Sequence, residues 1–207
     1  MNNRSIVILK FIAFPACLVP LGVLVYRGFT NALGPDPIAT ITHTTGFWTL
    51  YFLLISLAIT PIRHLSSRLG RLIRFRRMLG LFAFFYGTLH LFTYVWLFSG
   101  WDVRAMVHDI AKRPFITMGM LGWVCLLALA ATSTTWAIRK MGGKRWQMLH
   151  RLIYVAAIAG VIHYWWIVKS GVLTPWKVTV VLAILLLARI VWSAKQAARK
   201  RKVAVAA

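Results

Sequence analysis

Residues 147–168 read QMLHRLIYVAAIAGVIHYWWIV, a stretch without an acidic side chain that sets two histidines, His150 and His163, thirteen residues apart. A helix needs about 20 apolar residues to cross the hydrocarbon layer, and this stretch supplies them. An imidazole in that layer is costly and marks a functional position. Segment 78–99 carries a counterpart, His90, thirteen residues beyond Arg77.

Working outward, 60% hydrophobic residues, a mean hydropathy of +0.73 and ten tryptophans in 207 residues exceed what a soluble core of this size requires. Six segments are long enough to span: 8–26, 43–61, 78–99, 115–137, 147–168 and 174–193. The fold class is therefore an all-α integral membrane protein, a six-transmembrane-helix bundle. The first segment lacks a small-residue cleavage site and contains Pro15 and Pro20, so it reads as a retained span rather than a removed signal. Connections are short and punctuated by Gly34-Pro35-Asp36-Pro37, Pro61, Ser99-Gly100, Pro114, Gly142-Gly143 and Pro175. Residues 1–207 thus read as one transmembrane domain with a basic tail over 194–207, and no internal repeat is evident.

The formal charge of +22 sorts by side. With the amino terminus cytoplasmic, the inner face carries Arg4 and Lys10, the arginines from Arg63 to Arg77, the basic residues from Arg139 to Arg151, and those from Arg189 to Lys202. The outer face carries Arg27, Arg104, Lys112, Arg113, Lys169 and Lys177, and all three acidic residues, Asp36, Asp102 and Asp109. Such asymmetry is a topology signal that places both termini in the cytoplasm, with anionic lipid, not nucleic acid, as the partner of the excess charge. Cys17 and Cys125 lie in apolar segments with no metal-site or disulfide spacing and read as buried free thiols.

Depth links the histidines. Thirteen residues rise about 20 Å along a helix, so His90 and His163 lie at one level in the outer half, while His150 lies level with Arg76 and Arg77. Two facing helices that each present an imidazole at one level suit a six-coordinate haem. On one ideal helix His150 and His163 diverge by about 140°, so a curve, a π-bulge or imidazoles leaning from opposite flanks is needed for both to reach one channel. Gly87 and Gly160 each precede a histidine by one turn, and serve either the approach of a flat macrocycle or ordinary close helix packing. His43 opens the second segment, where it could ligate, bond a haem propionate or cap the helix. His64 and His108 fall in connections and read as solvated.

The stretches Leu33-Gly34-Pro35-Asp36-Pro37 to His43-Thr44-Thr45-Gly46-Phe47-Trp48, Arg76-Arg77-Met78-Leu79-Gly80-Leu81 to His90, Asp109-Ile110-Ala111-Lys112-Arg113-Pro114, and Trp146-Gln147-Met148-Leu149-His150-Arg151-Leu152 to His163 resemble the MsrQ (YedZ) family across nearly the whole chain. That resemblance implies membership of the ferric-reductase-like transmembrane group. It implies a haem-binding subunit of the bacterial inner membrane that passes electrons from the quinone pool to a periplasmic molybdopterin enzyme, MsrP, which repairs methionine sulfoxide in oxidised proteins. It further implies haem ligation by His90, His150 and His163, one or two b-type haems, and flavin mononucleotide as an additional cofactor.

The wider group brings two histidines from each of two helices, whereas here Arg76 or Arg77 stands level with His150. The inner site could hold a single-ligand haem, a flavin phosphate gripped by the arginines or a quinol, or the arginines could serve topology alone. A self-contained ferric or quinone reductase and a transporter or scaffold with merely packed histidines are the rival functions. The lack of glutamate and of intramembrane aspartate disfavours a proton-coupled transporter.

Overall fold

The computed structural model describes residues 3–65, 67–168 and 174–205, and these residues are helical almost throughout. The helices are α1 (Asn3–Phe29), α2 (Pro37–Leu65), α3 (Arg76–Thr93), α4 (Val103–Lys112), α5 (Pro114–Ala131), α6 (Thr135–Met141), α7 (Gly143–Leu149), α8 (Leu152–Ile167) and α9 (Thr174–Val205). A 3-10 stretch, Ser67–Phe75, leads into α3, and a π-helical turn, Tyr94–Phe98, continues it. Six helical segments are long and apolar enough to cross a membrane: Ile6–Phe29, Pro37–His64, Leu69–Phe98, Pro114–Ala131, Gly143–Ile167 and Pro175–Arg199. Residues 169–173, Lys169 among them, lie outside the described residues.

Helices α2 and α3 pack along their lengths, α5 packs on α8, and α3 joins the two pairs by its contact with α5. Helix α1 leans on α2, while α9 packs against α2 and α8. The core between them contains Phe52, Leu53, Leu57, Phe82, Ala83, Tyr86, Leu126, Ala157 and Val161. Outward faces stay apolar, as Phe11 and Ile184 illustrate, which suits helices bathed in hydrocarbon rather than water.

Local chemistry sets the ends, and several differ from the expected spans. Asp36 caps α2 by accepting from the Ala39 amide at 2.9 Å, and Pro37 stands at its first position, so the helix begins well before residue 43. The fourth span stops at Ala131 instead of 137. There the Thr132 hydroxyl bonds the Ala128 carbonyl at 2.7 Å and the Ser133 hydroxyl bonds the Leu129 carbonyl at 2.7 Å, so side chains compete with helix continuation. Thr134 then caps α6 by accepting from the Ala137 amide at 3.1 Å. The sequence 99–114, expected as a loop, contains α4, capped by Asp102 and anchored by the Asp109–Arg113 ion pair.

The fifth span breaks at His150 and Arg151, between α7 and α8, so His150 and His163 do not share one helix. Both residues at the break keep right-handed helical dihedrals, so the span continues with a locally altered turn. A π turn falls instead in the third span, starting at Tyr94, one turn beyond His90.

Tyr86 is buried in the core, where its hydroxyl accepts from the Leu21 amide at 3.2 Å and donates to the Cys17 carbonyl at 2.9 Å. Those two backbone groups are i and i−4 on α1, beside Pro20, and the phenol sits between them. Tyr86→Phe should cost about 1–3 kcal/mol by stranding them. Thermal unfolding in detergent should show a midpoint several degrees lower; an unchanged midpoint would mean that Leu21 simply re-bonds Cys17.

Candidate metal centre

His90 projects from α3 and His163 from α8, and their rings meet with centroids 5.9 Å apart and planes at 83°. The level matching expected of these two residues thus ends in side-chain contact. Each Nδ1 faces a backbone carbonyl: Thr42 O on α2 at 3.0 Å from His90, and Phe115 O on α5 at 2.6 Å from His163. A carbonyl oxygen only accepts, so each Nδ1 carries the proton and each Nε2 keeps its lone pair. The Nε2 of His163 is buried and has no partner in the protein. This is the state in which an imidazole ligates a metal, with the second nitrogen fixed by an outer hydrogen bond.

The two half-sites are built alike. Each histidine lies 48 residues after its carbonyl partner. One turn beyond each carbonyl stands a glycine, Gly46 after Thr42 and Gly119 after Phe115. A Cβ at Gly46 would lie 3.1 Å from Cε1 and 3.2 Å from Nδ1 of His90, and one at Gly119 would lie 2.9 Å from the same two atoms of His163. The bare backbone is what lets each ring reach its carbonyl. The sequence shows no repeat at large, yet the pairs α2–α3 and α5–α8 present one motif twice.

Gly87 and Gly160 do something else. A Cβ at Gly87 would meet Thr49 Cγ2 at 3.3 Å and one at Gly160 would meet Leu50 Cδ2 at 2.9 Å, both on α2. Of the two roles open to them, these glycines take close helix packing. Hydroxyls tie the same level together, since Thr93 donates to the His90 carbonyl at 2.7 Å and Thr42 to Thr93 at 3.2 Å.

Among the described residues no cluster of three or more His, Cys, Asp or Glu side chains forms. A metal held by His90 and His163 would need its further donors from a group other than these side chains, as a haem iron has in its macrocycle.

His150 occupies a separate place at the end of α7. Its Nε2 lies 3.1 Å from the Thr132 hydroxyl, which donates to Ala128 O; with that proton committed, His150 Nε2 donates and Nδ1 holds the lone pair. Trp146 stacks on the ring at 3.9 Å and donates its indole N–H to the Thr132 carbonyl at 2.8 Å. The tautomer is the reverse of that at the other two histidines. Arg76 lies within electrostatic range of His150 and is partly buried, whereas Arg77, its neighbour, is exposed.

The remaining histidines scatter. His43 does not cap α2, since Asp36 does; it is exposed in the helix and stacks on Phe47 at 6.2 Å. His108 is exposed on α4. His64, expected in solvent, stacks face to face on Trp192 of α9 at 3.8 Å.

The buried bundle and its two imidazoles agree with the class to which the chain is similar: residues 45–161 match the family described as ferric reductase like transmembrane component. Over 191 residues the chain is 48% identical to a protein of Herminiimonas arsenicoxydans named protein-methionine-sulfoxide reductase heme-binding subunit MsrQ, covering 91% of this chain and 87% of that relative. A protein of the same name from Bordetella parapertussis is 44% identical over 96% of this chain and 98% of its own length. Another, from Xanthomonas oryzae pv. oryzae, is 43% identical over 89% and 87%. The chain belongs to the MsrQ family.

Proposed function

We propose that the chain is a b-type haem subunit that carries electrons across the bacterial inner membrane, from the quinone pool to a periplasmic molybdopterin methionine-sulfoxide reductase of the MsrP kind. One observation carries the reading: two imidazoles from different spans face each other, both held through Nδ1, with an orphaned Nε2 on His163. The donor set fits the group: two neutral imidazoles from different helices, with ring centroids 5.9 Å apart, would both be available to hold a haem iron. The relatives' names, as heme-binding subunits, support the same assignment.

When bound, the haem supplies a one-electron iron couple. The rest belongs to the chain. His90 and His163 would hold the iron through Nε2, while the carbonyls of Thr42 and Phe115 keep both rings in the ligating tautomer and Gly46 and Gly119 give the rings room. The apolar side chains of α2, α3, α5 and α8 exclude water and tune the potential. His150, with its free Nδ1 and Arg76 beside it, serves the cytoplasmic half, as a ligand to a second haem or as a contact for a quinol or flavin mononucleotide supplying electrons. Six crossings would return the chain to its starting side, and the basic excess on the Arg63–Arg77, Arg139–Arg151 and Arg189 ends supports a cytoplasmic location for both termini. Residues 27–42 and 99–114 on the outer side are the surface on which the periplasmic partner docks; the third outer connection, 169–174, lies almost wholly outside the described residues.

Detergent-solubilised protein, with both faces accessible, tests the route. Adding quinol should reduce a b-type chromophore, with bands in the Soret and α regions, and the purified periplasmic enzyme should reoxidise it in proportion to sulfoxide supplied. A protein that shows no such bands after adequate haem supply has another function.

A further inference from the structure

Helix α4 sits at the end of the bundle that holds the histidine pair, and the chain bends sharply to reach it. Gly100 and Trp101 both take left-handed backbone angles, with φ of +53° and +67°. Glycine adopts such angles freely, whereas a tryptophan is strained by them. The turn folds the Trp101 ring back edge-on against Phe92, with centroids 5.8 Å apart, and Phe92 in turn meets Trp96 at 5.5 Å.

The direction of α4 follows from what its two ends touch. Trp101, beside the Asp102 cap, lies on Phe92, and Asp109, about 10 Å further along α4, accepts from the Tyr94 hydroxyl at 3.2 Å. Phe92 and Tyr94 are only about 3 Å apart along the third span. A helix running beside that span would carry Asp109 well past Tyr94, so α4 crosses it instead. Thr117 of α5 fastens the far end by donating to the Ile110 carbonyl.

Laid across the span, α4 sorts its residues by face. At about 100° per residue, Met106, Asp109 and Ile110 fill one arc and are half-buried against the bundle. Val103, Val107 and Ala111 fill the next arc, and Arg104, His108 and Lys112 the one after, all six exposed. Val103 and Val107 show 67% and 63% of their surface, and Trp96, Phe98 and Trp101 on the approach to the helix are exposed as well. An apolar stripe edged by cations is the pattern of a helix that lies in a membrane surface, and tryptophan prefers the headgroup level. The stripe also continues the apolar surface of the Leu69–Phe98 span.

We propose that α4 is an interfacial helix, with Val103, Val107 and Trp101 sunk into the phospholipid headgroup layer and Arg104 at the edge of the stripe paired with lipid phosphate. Ala105 and Lys112, on the opposite side of the exposed arc, stay in water and are left for a protein partner. The inference rests on α4 and its anchors. It narrows the docking surface proposed above without depending on it or on the haem.

Nitroxide labels on the full chain, reconstituted into nanodiscs of phosphatidylethanolamine and phosphatidylglycerol, decide it. The label sites are Val103→Cys, Val107→Cys, Ala105→Cys and Lys112→Cys, all at exposed positions, while the native Cys17 and Cys125 are buried. Ascorbate should reduce the labels at 103 and 107 about fivefold or more slowly than those at 105 and 112. The same two labels should relax more with dissolved oxygen than with a water-soluble nickel chelate, and the other two should do the reverse. Equal behaviour at all four positions would overturn the proposal. So would fast reduction at 103 and 107 that slows only when the periplasmic enzyme is added, because the apolar stripe would then belong to that protein.

Discussion

Purified His163→Ala and His90→Ala proteins should each lack the low-spin signal of a six-coordinate haem, while His150→Ala keeps it. The contrast follows from how the three rings are held. His90 and His163 lie against each other at 5.9 Å, and each fixes its Nδ1 proton on a carbonyl that no other group in the variant would replace. Removing either ring leaves one axial nitrogen where two are needed, and the iron becomes five-coordinate or is lost. His150 is tied to Thr132 and Trp146 on the far side of the break between α7 and α8, so its loss does not reach the outer pair. Electron paramagnetic resonance and reduced-minus-oxidised spectra on haem-replete samples report this directly. Retention of the low-spin signal in both His90→Ala and His163→Ala would refute the pairing.

The pairing itself was legible because thirteen-residue offsets translate into depth by helix rise alone, and rise needs no knowledge of neighbours. Rotation about the helix axis does need it, and there the sequence was less informative. The 140° offset between His150 and His163 assumed one regular helix, whereas the hydrogen-bond pattern changes at His150 and Arg151 between α7 and α8. The Thr-Ser-Thr-Thr run at 132–135, a sequence of back-bonding and capping side chains, could have signalled the earlier end of the fourth span. Arg76 and Arg77 looked interchangeable in the sequence, and only the fold turns one inward. Arg189 escaped notice among the tail charges, since its burial depends on the packing of α9 against α2 and α8. The glycines that touch the imidazoles sit on the facing helices, so their role is a tertiary fact. A 73-residue offset that relates Gly46, Gly87 and His90 to Gly119, Gly160 and His163 was nevertheless present to be found.

That distinction among glycines gives a graded expectation for alanine at each. Gly119→Ala should be the most damaging, weakening haem retention by roughly 10–100-fold, the range seen when an outer contact to a metal ligand is lost. Its Cβ would stand 2.9 Å from Cε1 and Nδ1 of His163. That ring cannot swing aside, because Phe115 O holds one edge and the iron would hold the other. Gly46→Ala meets His90 at 3.1 and 3.2 Å, a tighter than ordinary contact that a shift of a few tenths of an ångström relieves, so its effect should be the smaller. Gly160→Ala also places a Cβ 2.9 Å from a neighbour, yet that neighbour is Leu50 Cδ2, the far end of a flexible side chain, and haem retention should change little. Haem loss to an apoprotein acceptor, timed for the three variants, measures the order. If Gly160→Ala sheds haem as fast as Gly119→Ala, general helix packing and not ring clearance governs the site.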